Sequence, residues 1–260
     1  MNANPWARAP ALVAILMRWG SAGAAETGPI LPLPFADKLA IENSLGRGTV
    51  GKPVAAPVIA DPSRYLAFAA GTWTYRVLKG PHGKTSERYE WSADPAGSEG
   101  ARWRYDAGGE EIGYVEGRAD GDFFLTGVRE IRDNALTRYA PPEPLLLKGL
   151  VPGQELRLRM EVKVYDPDDQ AEPVHEGALD VTYRYIGAYR LDLPIGARDA
   201  VLLKSTFSGK IGPAVLNDVQ YRFFSLGVGM VALMERREVS AFYVYNLHMD
   251  VAKVLADRPK

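Results

Sequence analysis

The chain has 260 residues and 47% apolar content, enough to bury a core and within the size range of single all-β domains. Its 31 basic and 32 acidic residues leave a net charge of -1 and no basic stripe, which argues against a nucleic-acid partner. There is no cysteine, so disulfides, thiolate nucleophiles and sulfur-ligated metals are excluded.

Near the N-terminus, Arg8 precedes a short apolar run from Ala11 to Met17, and small residues follow from Ser21 to Ala25. This is the order of a secretory signal with an A-x-A site ending at Ala24, although Arg18 and Trp19 cut the apolar stretch short. Residues 1–25 are therefore expected to be a signal peptide, and the protein periplasmic or secreted. No other apolar run approaches the roughly 18 residues of a membrane helix, so no transmembrane span is expected.

Residues 26–62 carry Pro29, Pro32, Pro34, Gly46, Gly48, Gly51, Pro53 and Pro57. Proline removes ladder donors and glycine loosens the chain, so this stretch reads as an extended arm, a linker or strap, around one short helix from Ala36 to Ser44. From Asp61-Pro62-Ser63 onward, residues 63–260 read as the main domain. Large apolar residues alternate with polar ones there, as in Trp73-Thr74-Tyr75-Arg76-Val77 and Val181-Thr182-Tyr183-Arg184-Tyr185. Successive strand side chains point to opposite faces, so this pattern builds sheets. Strands are predicted at 72–79, 85–93, 101–107, 111–119 and 122–129. After a proline-rich break at Pro141-Pro142-Glu143-Pro144, more follow at 145–150, 154–165, 177–191, 200–209, 214–225 and 228–245.

Short turns and the lack of crossover helices favour antiparallel meanders. The predicted class is all-β, mainly antiparallel: a curved sheet or incomplete barrel of about eleven strands. Val244, Leu247, Val251 and Val254 recur at three- and four-residue steps, which predicts a short C-terminal helix lying over the open edge or mouth of the sheet.

Few motifs carry chemistry. Gly227-Val228-Gly229-Met230-Val231-Ala232 fits G-x-G-x-x-A, but only 28 residues follow Ala232 and they alternate like a strand. Gly227 and Gly229 are read instead as a bend between antiparallel strands. Ser208-Gly209-Lys210 lacks the upstream glycine of a phosphate loop, and Asp166, Asp168 and Asp169 lack the glycine and distal glutamate of a calcium loop. His82, His175 and His248 show no metal-ligand spacing, and there is no G-x-S-x-G elbow. Glu110 with Glu111, and Glu87 with Glu90, are each an odd number of steps apart on a strand, so neither pair is expected to converge; both read as solvated. No catalytic residue, cofactor or metal is assigned.

The remaining signal is aromatic. Trp73, Tyr75, Trp91, Trp103, Tyr105, Phe123, Tyr183, Tyr185, Tyr221 and Phe223 are the candidates to line a ligand cavity, within a wider set that includes Tyr89, Phe207, Tyr243 and Tyr245. Ordinary core is the competing reading for most of them. Their number, with so little helix to cover them, favours a ligand, because one curved sheet offers too little partner surface.

Gly71-Thr72-Trp73-Thr74-Tyr75, and Tyr221-Arg222-Phe223-Phe224 followed by Gly227-Val228-Gly229-Met230-Val231, resemble strands of bacterial periplasmic half-barrel proteins, the broad group that contains the lipoprotein-localisation carriers. The resemblance implies a half-barrel with a helix over its concave face and an apolar cavity for acyl chains. The leading expectation is an exported envelope protein, not an enzyme, that binds a lipid or another apolar molecule. Two other readings stay open: a structural or interaction module with a self-filled core and an envelope protein partner, and a hydrolase whose site carries no recognisable motif.

Overall fold

The computed structural model describes residues 28–66, 69–93, 102–241 and 245–259. The expected signal peptide lies outside the described residues. So do Phe242, Tyr243 and Val244.

The described chain is almost entirely strand. Strand β1 spans Val50–Val54, β2 Gly71–Lys79, β3 Ser86–Ala93, β4 Arg102–Ala107, β5 Glu111–Gly117, β6 Phe123–Glu130 and β7 Ala135–Leu146. They are followed by β8 Glu155–Tyr165, β9 His175–Leu191, β10 Arg198–Ile211, β11 Ala214–Ser225, β12 Gly229–Ala241 and β13 Tyr245–Asp257. Helix α1 (Phe35–Leu45) precedes β1, and a single turn, α2 (Ser63–Leu66), precedes β2. Every strand pairing is antiparallel: each of β2 to β13 pairs with its sequence neighbours, including β8 with β9, and β13 also returns to β2.

Those last two pairings settle closure. The C-terminal strand docks on the first strand of the meander, Lys253 opposite Val77 and Leu255 opposite Tyr75. Between β8 and β9, ten paired positions run from Glu155–Arg184 to Val164–His175. The expected all-β antiparallel class is correct, and the expected incomplete barrel is in fact a closed barrel of twelve strands, β2 to β13. Closure removes the free edges that an open sheet would present. The remaining strand, β1, continues the sheet past the end of β8, where Pro53 opposes Tyr189 and Val54 opposes Ala188.

The expected C-terminal helix is strand β13. Met249, Val251 and Lys253 face the lumen, while Ala252 and Val254 pack under α1 on the outside. The strand's C-terminal half, Ala252 to Leu255, is covered on both faces and needs no clean polar alternation, so the apolar residues of β13 mimic a helical stripe. The proline-rich break is likewise strand: β7 runs through Pro141, Pro142 and Pro144. Its pairing with β8 ends at Ala140 opposite Glu161, and on the other side the register jumps from Gly127–Arg138 to Leu125–Glu143. Pro141 and Pro142 therefore sit in a wide bulge, where no ladder donor is required of them.

The arm is a strap. Residues 56–66 close one end of the barrel: the Ile59 amide donates to Leu150 O at 3.0 Å, the Gly227 amide to Arg64 O at 2.7 Å, and the Tyr185 hydroxyl to Pro57 O at 2.9 Å. Ile59, Tyr65 and Leu66 bury themselves there against Phe123, Leu125, Leu145 and Phe224. Helix α1, expected over 36–44, does not cover a concave face. It lies on the outer wall, where Ile41 and Leu45 pack on Leu202, Tyr221, Phe223, Met234 and Val254. Asp37, 5% exposed, fixes it by accepting hydrogen bonds from Lys204 Nζ at 2.7 Å and the Tyr221 hydroxyl at 2.6 Å.

The bend between β11 and β12 uses both predicted glycines, with φ of 68° at Gly227 and 101° at Gly229. A β-branched side chain resists that region. Gly229→Val is expected to lower stability by about 1–3 kcal/mol in denaturant melts, and an unchanged midpoint would refute the assignment.

Candidate functional site

Inside the barrel the residues sort into three zones. At the strapped end lies a packed apolar cluster of Val115, Phe123, Leu125, Leu145, Tyr183, Tyr185 and Phe224. Towards the other end, on the β7 to β11 side, Met160, Val162, Leu179, Val181 and Phe207 fill the lumen. Between the strapped end and the hairpins at Gly80–Lys84, Glu110 and Arg132–Asp133 is a cavity of about 360 Å³, and a smaller chamber of about 160 Å³ adjoins it. Glu111, Glu130, Tyr139, Glu143, Gln220 and Arg237 line both.

One wall of the larger cavity is aromatic, because β2, β3 and β4 are adjacent and present their rings inward at alternate positions. Tyr75 meets Tyr89 edge-on at 5.1 Å between ring centres, Tyr89 stacks on Tyr105 at 5.3 Å, and Trp91 tilts over Tyr105 at 5.2 Å. Trp73 completes the wall, its Nε1 donating to Val228 O at 3.3 Å, and the Tyr75 hydroxyl donates to Met230 O at 2.8 Å.

The adjoining walls form a belt of charge. Lys253, 5% exposed, donates to Glu87 Oε2 and to the Tyr89 hydroxyl, both at 2.6 Å. Arg222 donates to Glu143 Oε1 at 2.6 Å and to the Gln220 side-chain carbonyl. Arg237 lies 2.7 Å from Glu235, 3.6 Å from Asp218 and 3.9 Å from Glu130. Burying charge is costly unless it is paired and hydrogen-bonded, and these pairs meet that condition in part.

Two carboxylates are less well compensated. Glu111 accepts from the Tyr105 hydroxyl at 2.8 Å, and no described lysine or arginine reaches it within ion-pair distance. Asp218 takes a 2.7 Å hydrogen bond from Gln220 on Oδ2, while its buried Oδ1 has no hydrogen-bond partner. Burial pushes the Glu111 and Glu130 carboxyls above their ordinary range. Burial, and then the charge of Glu235, push Asp218 up to about 7.

The sign of the consequence follows from linkage. A carboxyl raised in the folded state binds more protons folded than unfolded, so its contribution is full below about pH 4 and is lost as pH rises through about 7. Asp250 acts in the opposite direction: burial would raise it, but the hydrogen bond and charge of Arg236 hold it low. Stability is expected to rise by about 1–3 kcal/mol as pH falls from 8 to 5, and Asp218→Asn to flatten that slope. A slope unchanged in the variant would refute this role.

Of the predicted lining residues, Trp73, Tyr75, Trp91 and Tyr105 line the cavity. Trp103, Phe123, Tyr183 and Tyr185 belong to the packed strapped end instead; the Tyr183 hydroxyl, for example, is committed to Leu145 O at 2.9 Å. Tyr221 and Phe223 do not line it. They face outward under α1, and the lumen receives Gln220, Arg222 and Phe224 from the same strand. Shifting by one residue exchanges the faces of a strand, and α1 supplies the outer cover that makes aromatic residues stable there.

Glu87 and Glu111, expected on solvated faces, are corrected likewise: both turn inward, from different strands, while Glu90 stays exposed and Glu110 is half-buried at the cavity rim, paired with Lys84. The parity of Glu87 with Tyr89 and Trp91, and of Glu111 with Val115, was the available signal. His248 sits on the outer side of β13, 3.6 Å from both Glu238 and Asp250. Among the described residues, no three His, Cys, Asp or Glu side chains are grouped to hold a metal, and no helix is long and apolar enough to cross a membrane.

No known protein family matches the chain, and no curated protein matches it in sequence. Among solved structures, it is similar to a protein from Bacteroides fragilis described as exported and having a YmcC-like fold, at 12% identity and a TM-score of 0.42, over 74% of this chain and 96% of that one. It is also similar to a protein from Parabacteroides distasonis described as a lipoprotein, at 14% identity and a TM-score of 0.37, over 75% of this chain and 97% of that one.

Proposed function

We propose that the protein is an exported envelope protein whose barrel lumen binds an amphipathic small molecule or lipid without transforming it. The observation that carries this reading is the cavity of about 360 Å³ with one aromatic wall and one charged belt. Ligand sites are concave, largely apolar and furnished with a few placed polar groups, and this volume lies within their usual range. The aromatic wall suits an apolar body. A wholly apolar ligand would leave the belt facing it unsatisfied, so the ligand class narrows to molecules with a polar end. The order of residues at the N-terminus, with Arg8 before an apolar run and small residues to Ala25, supports export.

Two other readings have specific support. The packed zones at both ends favour a self-filled structural barrel. The raised Glu111 and Asp218 favour hydrolysis, but no described histidine or serine lines either chamber to act with them.

The test is titration with N-phenyl-1-naphthylamine, an uncharged apolar dye that brightens when it leaves water. Saturable binding at one site per chain is expected, and it should be abolished by Val251→Trp, which fills the cavity from β13. A dye that does not bind the wild-type protein, or that binds the variant equally, would contradict a lumenal site.

A further inference from the structure

Resting on that reading, we infer that the polar end of the ligand is cationic, an amine or quaternary ammonium group held by Glu111 beside Tyr139. The basic side chains of the belt are already spent. Lys253 is committed to Glu87 and Tyr89, Arg222 to Glu143 and Gln220, and Arg237 to Glu235 with Asp218 and Glu130 nearby. No basic side chain of the belt is left over to receive an anionic head group.

The surplus is acidic. Glu87, Glu111, Glu130, Glu143, Asp218 and Glu235 face three buried cations, Arg222, Arg237 and Lys253, while at the rim Lys84 pairs with Glu110 at 2.5 Å and one further residue of each sign is present, Arg132 and Asp133. An anionic head group would have to displace a buried ion pair or sit beside like charge. A cation would meet what is missing.

Geometry selects Glu111 as its partner. It lines both chambers, its one hydrogen bond comes from the Tyr105 hydroxyl, and that leaves its second oxygen open to a donor. The Tyr89 and Tyr105 rings beside it are already engaged, Tyr89 by the Lys253 ammonium 4.6 Å from its ring centre and Tyr105 by Tyr89 and Trp91, whereas Tyr139 borders the same space in both chambers. Aromatic faces carry negative potential and attract ammonium groups, most strongly where water is excluded. The open oxygen of Glu111 therefore supplies the main attraction for a cation, and the Tyr139 ring that lines the same space adds to it. Asp218, with its unpartnered Oδ1 in the smaller chamber, adds to the same field.

The experiment compares three amphiphiles of one chain length, an alkyltrimethylammonium, the alkyl alcohol and the alkyl sulfate, as competitors of the dye below their micelle concentrations. The ammonium compound is expected to compete about tenfold more strongly than the alcohol, with the sulfate weakest. Glu111→Gln keeps the volume and can still accept from Tyr105; it should cut ammonium binding about tenfold and leave the alcohol unchanged. Equal competition by all three, or preference for the sulfate, would overturn the cation assignment while leaving lumenal binding intact. Ammonium preference that survives in Glu111→Gln would overturn the role of Glu111. Failure of all three, and of the dye, would remove the underlying reading with it. The wild-type comparison requires no variant to fold.

Discussion

Arg222→Leu is expected to lower the unfolding free energy by about 3–5 kcal/mol. Arg222 enters the lumen from β11 and meets Glu143, which is 4% exposed, at 2.6 Å. Removing the guanidinium leaves that carboxylate buried beside Glu235 and Asp218 without its cation. The loss should therefore come mostly from the stranded partner rather than from the missing bond. The double variant Arg222→Leu with Glu143→Leu is accordingly expected to recover most of the stability, since a buried pair replaced by apolar residues is often neutral. Guanidinium melts of the wild type, both single variants and the double variant would measure this. A single-variant loss below about 1 kcal/mol would place the pair in water and refute the buried belt.

Phe223→Ala should cost a similar amount, about 3–5 kcal/mol, for a different reason. Its ring is fully buried on the outer wall with Ile41, Leu45, Met234 and Val254, so truncation opens a cavity beneath α1 rather than in the lumen. Dye binding by the folded fraction is expected to stay as in the wild type. An intact melt accompanied by lost dye binding would return Phe223 to the lumen and reverse the assignment of faces along β11.

That reversal marks the limit of what the sequence discloses. Alternation made β2, β3, β9 and β11 legible as strands, and it correctly turned Trp73, Tyr75, Trp91 and Tyr105 to one surface. It also placed Gly227 and Gly229 at a bend. What alternation cannot supply is which face is inside when both faces are covered. On β11 the outward Tyr221 and Phe223 are more apolar than the inward Gln220 and Arg222, because α1 hides the outer wall while charge lines the lumen. On the C-terminal half of β13 the same double cover erased the period. Closure was equally hidden, because it depends on β13 meeting β2, a contact between the two ends of the meander that no local pattern encodes. The belt of charge escaped notice because its members are scattered over seven strands, from Glu87 to Lys253. Each looks like an ordinary solvated residue until the barrel closes around it.

The most direct measurement is native mass spectrometry of the protein purified without detergent from its own cells, paired with mass analysis of what organic extraction releases. A stoichiometric small molecule is expected, lost on denaturation and absent from Val251→Trp. This molecule is further expected to combine an apolar chain or ring with an amine or ammonium group. A bare protein mass from those cells, matched by an extract containing nothing in proportion to the chain, would contradict that expectation.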